Sequence, residues 1–234
     1  MSAPVALIIP AAGLGARMGG RRKTFLHLAG KPILFHTLDR FRPFARRILQ
    51  TVVVLCPDDV DAARQRWGAT LESAYGVTDL VPGGARRQDS VRAGLARVRP
   101  DCELVAIQDA VRPFVPPSAI AASFEAAERI GAAVVAAPMK PTVKRVTEGR
   151  VVETIDRSDL WGAQTPQVFR RPLILDAYQA AERDGLTVTD DAQVVEHLGY
   201  PVAAVPGSEL NLKITTPDDL ALAEALLAHH LLPE

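Results

Sequence analysis

Residues 5–18 carry the strongest structural signal in the chain, and they read Val5-Ala-Leu-Ile-Ile-Pro-Ala-Ala-Gly-Leu-Gly-Ala-Arg-Met18. The apolar run Val5–Ile9 is continuous, which is typical of a strand that is buried on both faces of a sheet. Small residues and two glycines follow, and they let the chain turn tightly and bring backbone N–H groups close to phosphate oxygens. The stretch therefore predicts a buried strand followed by a phosphate-binding turn.

Two common glycine motifs do not match this turn. A dinucleotide fingerprint needs a third glycine, where this chain has Met18, and an acidic residue about 20 positions on, where it has Ile33. A P-loop needs Gly-x-x-x-x-Gly-Lys-Ser/Thr, which is also absent from the sequence. A dehydrogenase and a Walker-type NTPase are both disfavoured.

Basic residues follow the turn within ten positions of Gly13, namely Arg17, Arg21, Arg22 and Lys23. Nucleotidyl transfer depends on positioning and on cations that neutralise charge at phosphorus, and it needs little covalent chemistry from the protein. Glycines followed by arginine and lysine therefore predict a site for a nucleoside triphosphate. The alternative is a glycine turn beside a solvated basic patch.

Composition limits the class of protein. The 234 residues are 48% hydrophobic and 23% charged, which is enough for one compact core, and we expect a single domain over residues 1–234. The 27 basic and 27 acidic residues balance, so no excess charge predicts binding to nucleic acid or to a membrane. Cys56 and Cys102 have no metal-site spacing, and the first apolar run is too short to span a bilayer. A cytoplasmic protein is expected.

Apolar runs alternate with helical patterns along the chain. Strands are predicted at Val5–Ile9, Thr51–Cys56, Leu104–Ile107, Ala132–Ala137 and Val202–Val205. Helices are predicted at Pro32–Phe41, Asp58–Trp67, Asp89–Val98, Pro117–Ile130, Arg171–Arg183, Thr189–Leu198 and Pro217–Leu231. The alternation predicts a Rossmann-like α/β fold, in which a mostly parallel sheet has helices on both faces.

The alternation breaks once, in residues 142–155. Val143–Val146 and Val151–Ile155 flank the turn-like Thr147–Arg150, and this pattern predicts an antiparallel hairpin. We expect it to lie within a protruding β-arm, residues 139–160. Because a lone ribbon is marginal in water, the arm is expected to pack on a second subunit; the alternative is an edge hairpin on the same subunit.

Other polar residues follow predicted strands, where open α/β sheets bind ligands. Gly83–Ser90 opens a predicted helix, and its glycines and Ser90 are candidates to hold a base or ribose. Asp109 ends the Leu104–Ile107 strand and is a candidate ligand for Mg²⁺ or a hydroxyl group. The alternatives are a helix cap for Ser90 and a turn-forming role for Asp109.

At this level of detail the chain resembles the 2-C-methyl-D-erythritol 4-phosphate cytidylyltransferases, enzymes of the non-mevalonate isoprenoid pathway. The resemblance covers almost the whole chain, and it rests on the order and spacing of many short motifs. These are Pro10–Met18, Lys23, Gly30–Ile33, Arg87–Val91, Asp109–Pro113, Ala137–Pro138 with Thr142, Asp156–Arg157, Leu160–Trp161, Gln164–Gln167, Thr189–Asp190 and Asn211–Thr215.

The resemblance implies roles for individual residues. CTP would be bound by Ala11, Ala12, Gly13, Gly83 and Ser90. The α-phosphate would be stabilised by the catalytic cations Arg17, Lys23 and Lys213. The acceptor, methylerythritol phosphate, would contact Asp109, Arg112 and Thr189 of one subunit and Thr142 and Arg157 of its neighbour in a homodimer. Mg²⁺ would be held mainly by the CTP phosphates rather than by protein ligands.

Two positions depart from the family pattern. Relatives usually have Pro-Lys-Gln where this chain has Arg22-Lys23-Thr24, so that a second basic residue stands directly before Lys23. Gln108 stands where a histidine is common, a change that spares Asp109 and Arg112.

Two other functions remain open. A ribitol 5-phosphate cytidylyltransferase would share the fold and reaction, but Ala11-Ala12-Gly13 favours methylerythritol phosphate, because the ribitol enzymes tend to have Ala-Gly-Gly. A nucleotide-binding regulatory module that has lost catalysis is disfavoured, because the catalytic cations and Asp109 are retained.

Overall fold

The computed structural model describes residues 2–13 and 25–232. In chain order the strands are β1 Val5–Pro10, β2 His27–Leu28, β3 Lys31–Pro32, β4 Ile48–Leu55, β5 Val77–Pro82, β6 Leu104–Ile107, β7 Ala132–Pro138, β8 Val143–Thr147, β9 Arg150–Ile155, β10 Trp161–Arg170 and β11 Ala203–Pro206. The α-helices are α1 Ile33–Asp39, α2 Val60–Tyr75, α3 Arg87–Leu95, α4 Pro117–Ile130, α5 Arg171–Arg183, α6 Ala192–His197 and α7 Pro217–Ala228.

The central sheet has the order β11-β7-β10-β6-β1-β4-β5 across the described residues. Strand β10 runs antiparallel to both of its neighbours, β6 and β7, and the other neighbouring pairs are parallel. Because β1, β4, β5 and β6 are parallel, the loops after them meet along one edge of the sheet. The predicted Rossmann-like, mostly parallel sheet is confirmed.

Helices cover both faces of the sheet, as the buried strands require. Alternate β1 residues point to opposite faces, so Leu7 packs in a cluster with residues of α1, α2 and α4, while Ile8 packs with residues of α3, α5 and α6. Helix α7 packs beside the sheet through Ala223 and Leu226, against Leu28 and other buried residues. In the part of the chain that the structure describes, no helix is long and apolar enough to cross a membrane.

Some of the predicted helix boundaries match the structure and others differ. The bounds of α4 and α5 match the prediction. Helix α2 continues past the predicted end at Trp67 and stops at Gly76, whose φ of 62° is left-handed. Helix α6 begins at Ala192 rather than Thr189, and α3 spans Arg87–Leu95 rather than Asp89–Val98.

Four strands were not predicted, namely the short pair β2 and β3 and, in the central sheet, β5 and β10. The β5 sequence VTDLVP contains polar residues and a proline, which an edge strand tolerates. Its buried residues are Val77 and Val81. The β10 sequence WGAQTPQVFR contains Gln164 and Gln167, and its register with β7 shifts between Ala163 and Gln167. The side chains of these glutamines bind residues 191 and 211, which lie outside the sheet.

The predicted hairpin is present as β8 and β9, which pair antiparallel as a separate two-stranded sheet. Its turn residues Glu148 and Gly149 have φ angles of 51° and 76°, as a tight two-residue hairpin turn requires. Val146, Val151 and Val152 on the ribbon are 56%, 63% and 57% exposed. The hairpin therefore leaves apolar side chains uncovered within this subunit.

Helix α3 lies unusually close to the sheet at Gly94. A Cβ atom there would be 2.6 Å from Cγ2 of Ile8, whereas at Gly68 of α2 the nearest side-chain atom would be Cγ of Arg64 at 3.6 Å. We expect Gly94→Ala to lower the free energy of unfolding by about 1–3 kcal/mol, because the added methyl forces the helix away from β1. The control Gly68→Ala should raise it by about 0.5–1 kcal/mol, because alanine favours the helix. Urea unfolding of both variants measures the difference, and stabilisation by both would contradict the close packing.

Candidate active site

The residues expected to bind the nucleotide converge at the carboxyl ends of β1 and β5. The Ala11 amide donates to the Val54 carbonyl and the Gly83 amide donates to the Leu55 carbonyl, each at 2.7 Å, so both loops are tied to β4 between them. A Cβ atom at residue 83 would lie 2.7 Å from Cβ of Ala12 and 2.7 Å from Oγ of Ser90. Three of the predicted residues, Ala12, Gly83 and Ser90, are therefore in direct contact.

Ser90 is not a helix cap. It lies within α3, is buried, and its Oγ accepts the Gly84 amide at 3.2 Å. The amide of Arg86, just before the helix, is instead capped by the Asp89 carboxylate at 3.1 Å. Ser90 thus fixes the Gly83–Gly84 turn from the helix side.

Asp109 is the centre of a cluster of charges. It follows β6, and its side chain is only 8% exposed. Its Oδ1 accepts from Nε of Arg87 at 3.1 Å, and its Oδ2 is 2.8 Å from Nζ of Lys213 and 3.4 Å from Nε of Arg112. Three cations from three segments of the chain therefore surround one buried carboxylate.

These cations decide the ionisation of Asp109. Burial by itself raises the pKa of the carboxyl group, but the charges of Arg87, Lys213 and Arg112 outweigh it and hold the pKa well below its usual range. Asp109 is therefore an anion at neutral pH. Because both of its oxygens already face cations, it suits hydrogen bonding to a hydroxyl better than direct binding of Mg²⁺, the other predicted possibility.

Arg87 joins Asp109 to a second buried carboxylate. Its Nη2 is 2.7 Å from Oδ2 of Asp191, whose side chain is fully buried. The Tyr178 hydroxyl donates to Oδ1 of Asp191 at 2.5 Å. Burial and the neighbouring Asp191 raise the pKa of Tyr178, so its hydroxyl keeps its proton.

Amide side chains hold the backbone around this cluster. The side-chain Oε1 of Gln167 accepts hydrogen bonds from the backbone amides of Asp191 and Ala192 at 2.9 and 2.8 Å. The Asn211 side chain donates to Gln164 and to the Thr165 carbonyl, and Thr165 Oγ1 accepts the Asp109 amide at 3.1 Å. These residues explain the polar stretch of β10.

Lys213 and Arg112 are brought together by the backbone. The Ile214 amide donates to the Val111 carbonyl at 2.9 Å, and Nη1 of Arg112 donates to the Asn211 carbonyl at 2.7 Å. The segment before α7 therefore lies against the loop after β6. Lys213 remains 39% exposed, so its ammonium group is accessible to a ligand.

The other predicted site residues divide into two groups. Thr189 is exposed, and its amide donates to the Gln193 side chain at 3.0 Å, in the segment that leads to Asp191. Thr142 and Arg157 are exposed at the two ends of the hairpin region, and neither is hydrogen-bonded to Asp109, Arg112 or Lys213. Arg17 and Lys23, with Arg21 and Arg22, lie outside the described residues.

Sequence reasoning gave no role to Arg87, Asp191 or Gln167. Arg87 stands inside the glycine-containing segment that was singled out, which was the available signal. Its partner Asp191 is 104 positions away, and no pattern in the sequence connects the two.

Comparison with known proteins identifies the family of the chain. The family model of 2-C-methyl-D-erythritol 4-phosphate cytidylyltransferases matches residues 5–229. The chain belongs to this family. A cytidylyltransferase of that name from Solibacter usitatus is 44% identical over 235 residues, which cover 95% of each chain.

Solved structures of this cytidylyltransferase family also match. The Thermus thermophilus enzyme has 37% identity and a TM-score of 0.79, with 97% of this chain and 100% of that chain covered. The Anaerococcus prevotii 4-diphosphocytidyl-2C-methyl-D-erythritol synthase has 31% identity and a TM-score of 0.82, with 97% and 99% covered. The predicted family, fold and enzyme class, a nucleotidyltransferase of isoprenoid biosynthesis, are confirmed.

The described residues of this cytidylyltransferase do not fit a magnesium ion held by protein ligands. Among residues 2–13 and 25–232, no group of three or more His, Cys, Asp or Glu side chains could hold a metal ion. The central carboxylate, Asp109, is already paired with three cations.

The charge of Asp109 should matter for stability. We expect Asp109→Asn to lower the free energy of unfolding by about 3 kcal/mol, because it leaves buried cations without their anion. This value is at the low end for a broken buried ion pair, since Lys213 can turn to solvent and Arg87 still pairs with Asp191. Since the folded-state pKa of Asp109 is depressed, this contribution is present at neutral pH and is lost as the pH falls below about 4.

Urea unfolding at pH 7 and at pH 3 measures this difference. Asp101→Asn, which breaks an exposed pair with Arg99, is the matched control and should change stability little at pH 7. Equal stability of wild type and Asp109→Asn at pH 7 would contradict the electrostatic account.

Proposed function

We propose that this member of the family joins CTP and 2-C-methyl-D-erythritol 4-phosphate, giving 4-diphosphocytidyl-2-C-methyl-D-erythritol and pyrophosphate, at the sheet edge between Gly83 and Asp109. The observation that carries this assignment of the site is the convergence of Arg87, Arg112 and Lys213 on the buried Asp109. An anionic acceptor needs such cations, and they stand beside the glycine turns expected to hold the nucleotide. The site assignment extends the family membership to individual residues.

The nucleotide binds against backbone rather than side chains. Gly83 has no room for a Cβ atom between Ala12 and Ser90, so this wall of the site is built from small groups and peptide units. Such a surface lets a flat base and a ribose approach closely. Ala11, Ala12, Gly13, Gly83 and Ser90 form this side of the site.

The acceptor binds on the Asp109 side. Its hydroxyl groups donate to the Asp109 carboxylate, which is ionised at neutral pH, while Arg112 and Lys213 face its phosphate. Arginine suits this task because its planar fork can bind two phosphate oxygens. Thr189 contacts the same ligand from the segment before Asp191.

The reaction is an in-line displacement at the α-phosphorus of CTP. An acceptor phosphate oxygen forms the new bond to this phosphorus, and the bond to the bridging oxygen of the β-phosphate breaks, so that pyrophosphate leaves with the electron pair. Arg17, Lys23 and Lys213 stabilise the charge that develops on the α-phosphate oxygens. Magnesium, carried by the CTP phosphates, would add positive charge there.

The arm, residues 139–160, completes the site of a partner subunit in a homodimer. The exposed valines on both strands of the hairpin support this arrangement, because a ribbon with uncovered apolar side chains is marginal in water. Thr142 and Arg157 then reach the partner's acceptor. A cytoplasmic location is part of the proposal, and the free Cys56 and Cys102 suit a reducing compartment.

Acceptor choice tests the proposed reaction. We expect pyrophosphate release from CTP and Mg²⁺ to be faster with 2-C-methyl-D-erythritol 4-phosphate than with ribitol 5-phosphate, measured as kcat/KM for each. Faster release with ribitol 5-phosphate would overturn the acceptor, and no release with either would favour a binding module without catalysis.

Mixing two impaired variants tests the shared site, provided that activity is measured at an acceptor concentration far below the raised KM of Arg157→Ala. We expect Lys23→Ala to lower kcat by about 10²–10³-fold, because a cation acting on developing charge is lost. Arg157→Ala should raise the KM for the acceptor far more than the KM for CTP. Unfolded and refolded together, the two variants should recover about a quarter of wild-type activity, because half of the dimers are mixed and each mixed dimer has one intact site.

Controls separate the two halves of this prediction. Arg22→Ala tests whether Lys23 rather than its basic neighbour is the catalytic cation, and it should keep most of the activity. No recovery on mixing would mean that Arg157 acts within its own subunit.

A further inference from the structure

Residues 186–191 form an irregular segment that carries Thr189. Three consecutive side chains at the start of α3, those of Arg86, Arg87 and Gln88, bind this segment. Nη1 of Arg86 is 3.3 Å from Oγ1 of Thr187. Gln88 accepts the Val188 amide at 3.0 Å and donates to the Leu186 carbonyl at 3.2 Å. The segment has no regular structure of its own, so these side chains set where it lies.

Arg87, between them, makes the longest-range connection. Its Nε donates to Asp109 at 3.1 Å and its Nη2 donates to Asp191 at 2.7 Å. Two carboxylates on separate elements are thus held by one planar guanidinium group. Burial alone would lower the pKa of Arg87, but Asp191 and Asp109 raise it well above its usual range, so the charge is permanent.

Asp191 is a fixed anchor for this connection. It is fully buried, and it is held from α5 by the Tyr178 hydroxyl and from β10 by Gln167, which accepts its amide. Asp109, by contrast, stands at the ligand side of the cluster with the partly exposed Lys213. Arg87 therefore connects the buried Asp191 carboxylate to the Asp109 carboxylate, which faces the proposed acceptor.

We propose that Arg87 and Asp191 are positioning residues for the acceptor: the pair fixes the Asp109 carboxylate and the Thr189 segment relative to each other, without touching the substrate itself. The inference rests on the proposed acceptor side of the site. A buried ion pair can also exist for packing alone, so the test must separate positioning from stability.

Steady-state kinetics of Arg87→Lys and Asp191→Asn make this separation. Lysine keeps the charge but lacks the fork that reaches both carboxylates, and asparagine keeps the shape of Asp191 but loses its charge. We expect each variant to raise the KM for the methylerythritol phosphate acceptor by about tenfold or more, while the KM for CTP stays within about twofold. The control is Arg92→Gln, on the same helix as Arg87, which breaks a surface pair with Glu182 of α5 and should change neither KM.

The pH profile adds a readout that a packing role would not move. Asp109 faces Arg87 from α3, Arg112 from the loop after β6, and Lys213 from the segment before α7. In Arg87→Gln one of these three cations is gone, so the pKa of Asp109 rises and the acidic limb of kcat/KM for the acceptor moves to higher pH. The limb of Arg92→Gln should coincide with that of wild type.

The outcomes are distinct. Equal rises in both KM values, or unchanged kinetics in a variant with lowered thermal stability, would overturn the positioning role. Should Asp191→Asn fail to fold, Arg87→Lys decides alone, since it preserves the charge balance of the cluster. Failure of the proposed function shows separately, as a wild-type protein that releases no pyrophosphate with this acceptor.

Discussion

The negative charge of a buried carboxylate must be compensated by nearby cations, and Asp109 is such a carboxylate. An isolated charge at this depth would be very costly, and Arg87, Arg112 and Lys213 together compensate the aspartate that follows β6. These cations come from α3, from the loop after β6, and from the segment before α7. The same ion pairs that let the chain fold therefore assemble a positive site at the carboxyl edge of the sheet.

Close packing of α3 connects this site to the core. The helix approaches β1 so closely that Gly94 has no space for a Cβ atom, and at its other end Gly83 meets Ala12 and Ser90 in the same way. Small residues therefore set the distance between helix and sheet at both points. Because Arg87 projects from the first turn of this helix, its reach to both Asp109 and Asp191 depends on that distance.

Polar residues in β10 show how one strand can serve both sheet and site. Gln167 pairs with Ile107 and Val134 in the ladder, and its side chain supports the amides that begin α6. Thr165 supports the Asp109 amide, and Gln164 binds Asn211. The strand therefore lacks the apolar alternation typical of a sheet, and its polar side chains hydrogen-bond the loops that carry the charged cluster.

The sequence by itself determined the alternation of strands and helices, the hairpin and the family, because these depend on local periodicity, turn residues and motif order. It did not reveal β5, whose edge position tolerates polar residues, or β10, whose glutamines look like loop residues. The roles of Arg87 and Asp191 were decided only by the tertiary structure. Their ion pair spans 104 positions, and a Coulombic contact depends on distance in space, about which local sequence carries no information.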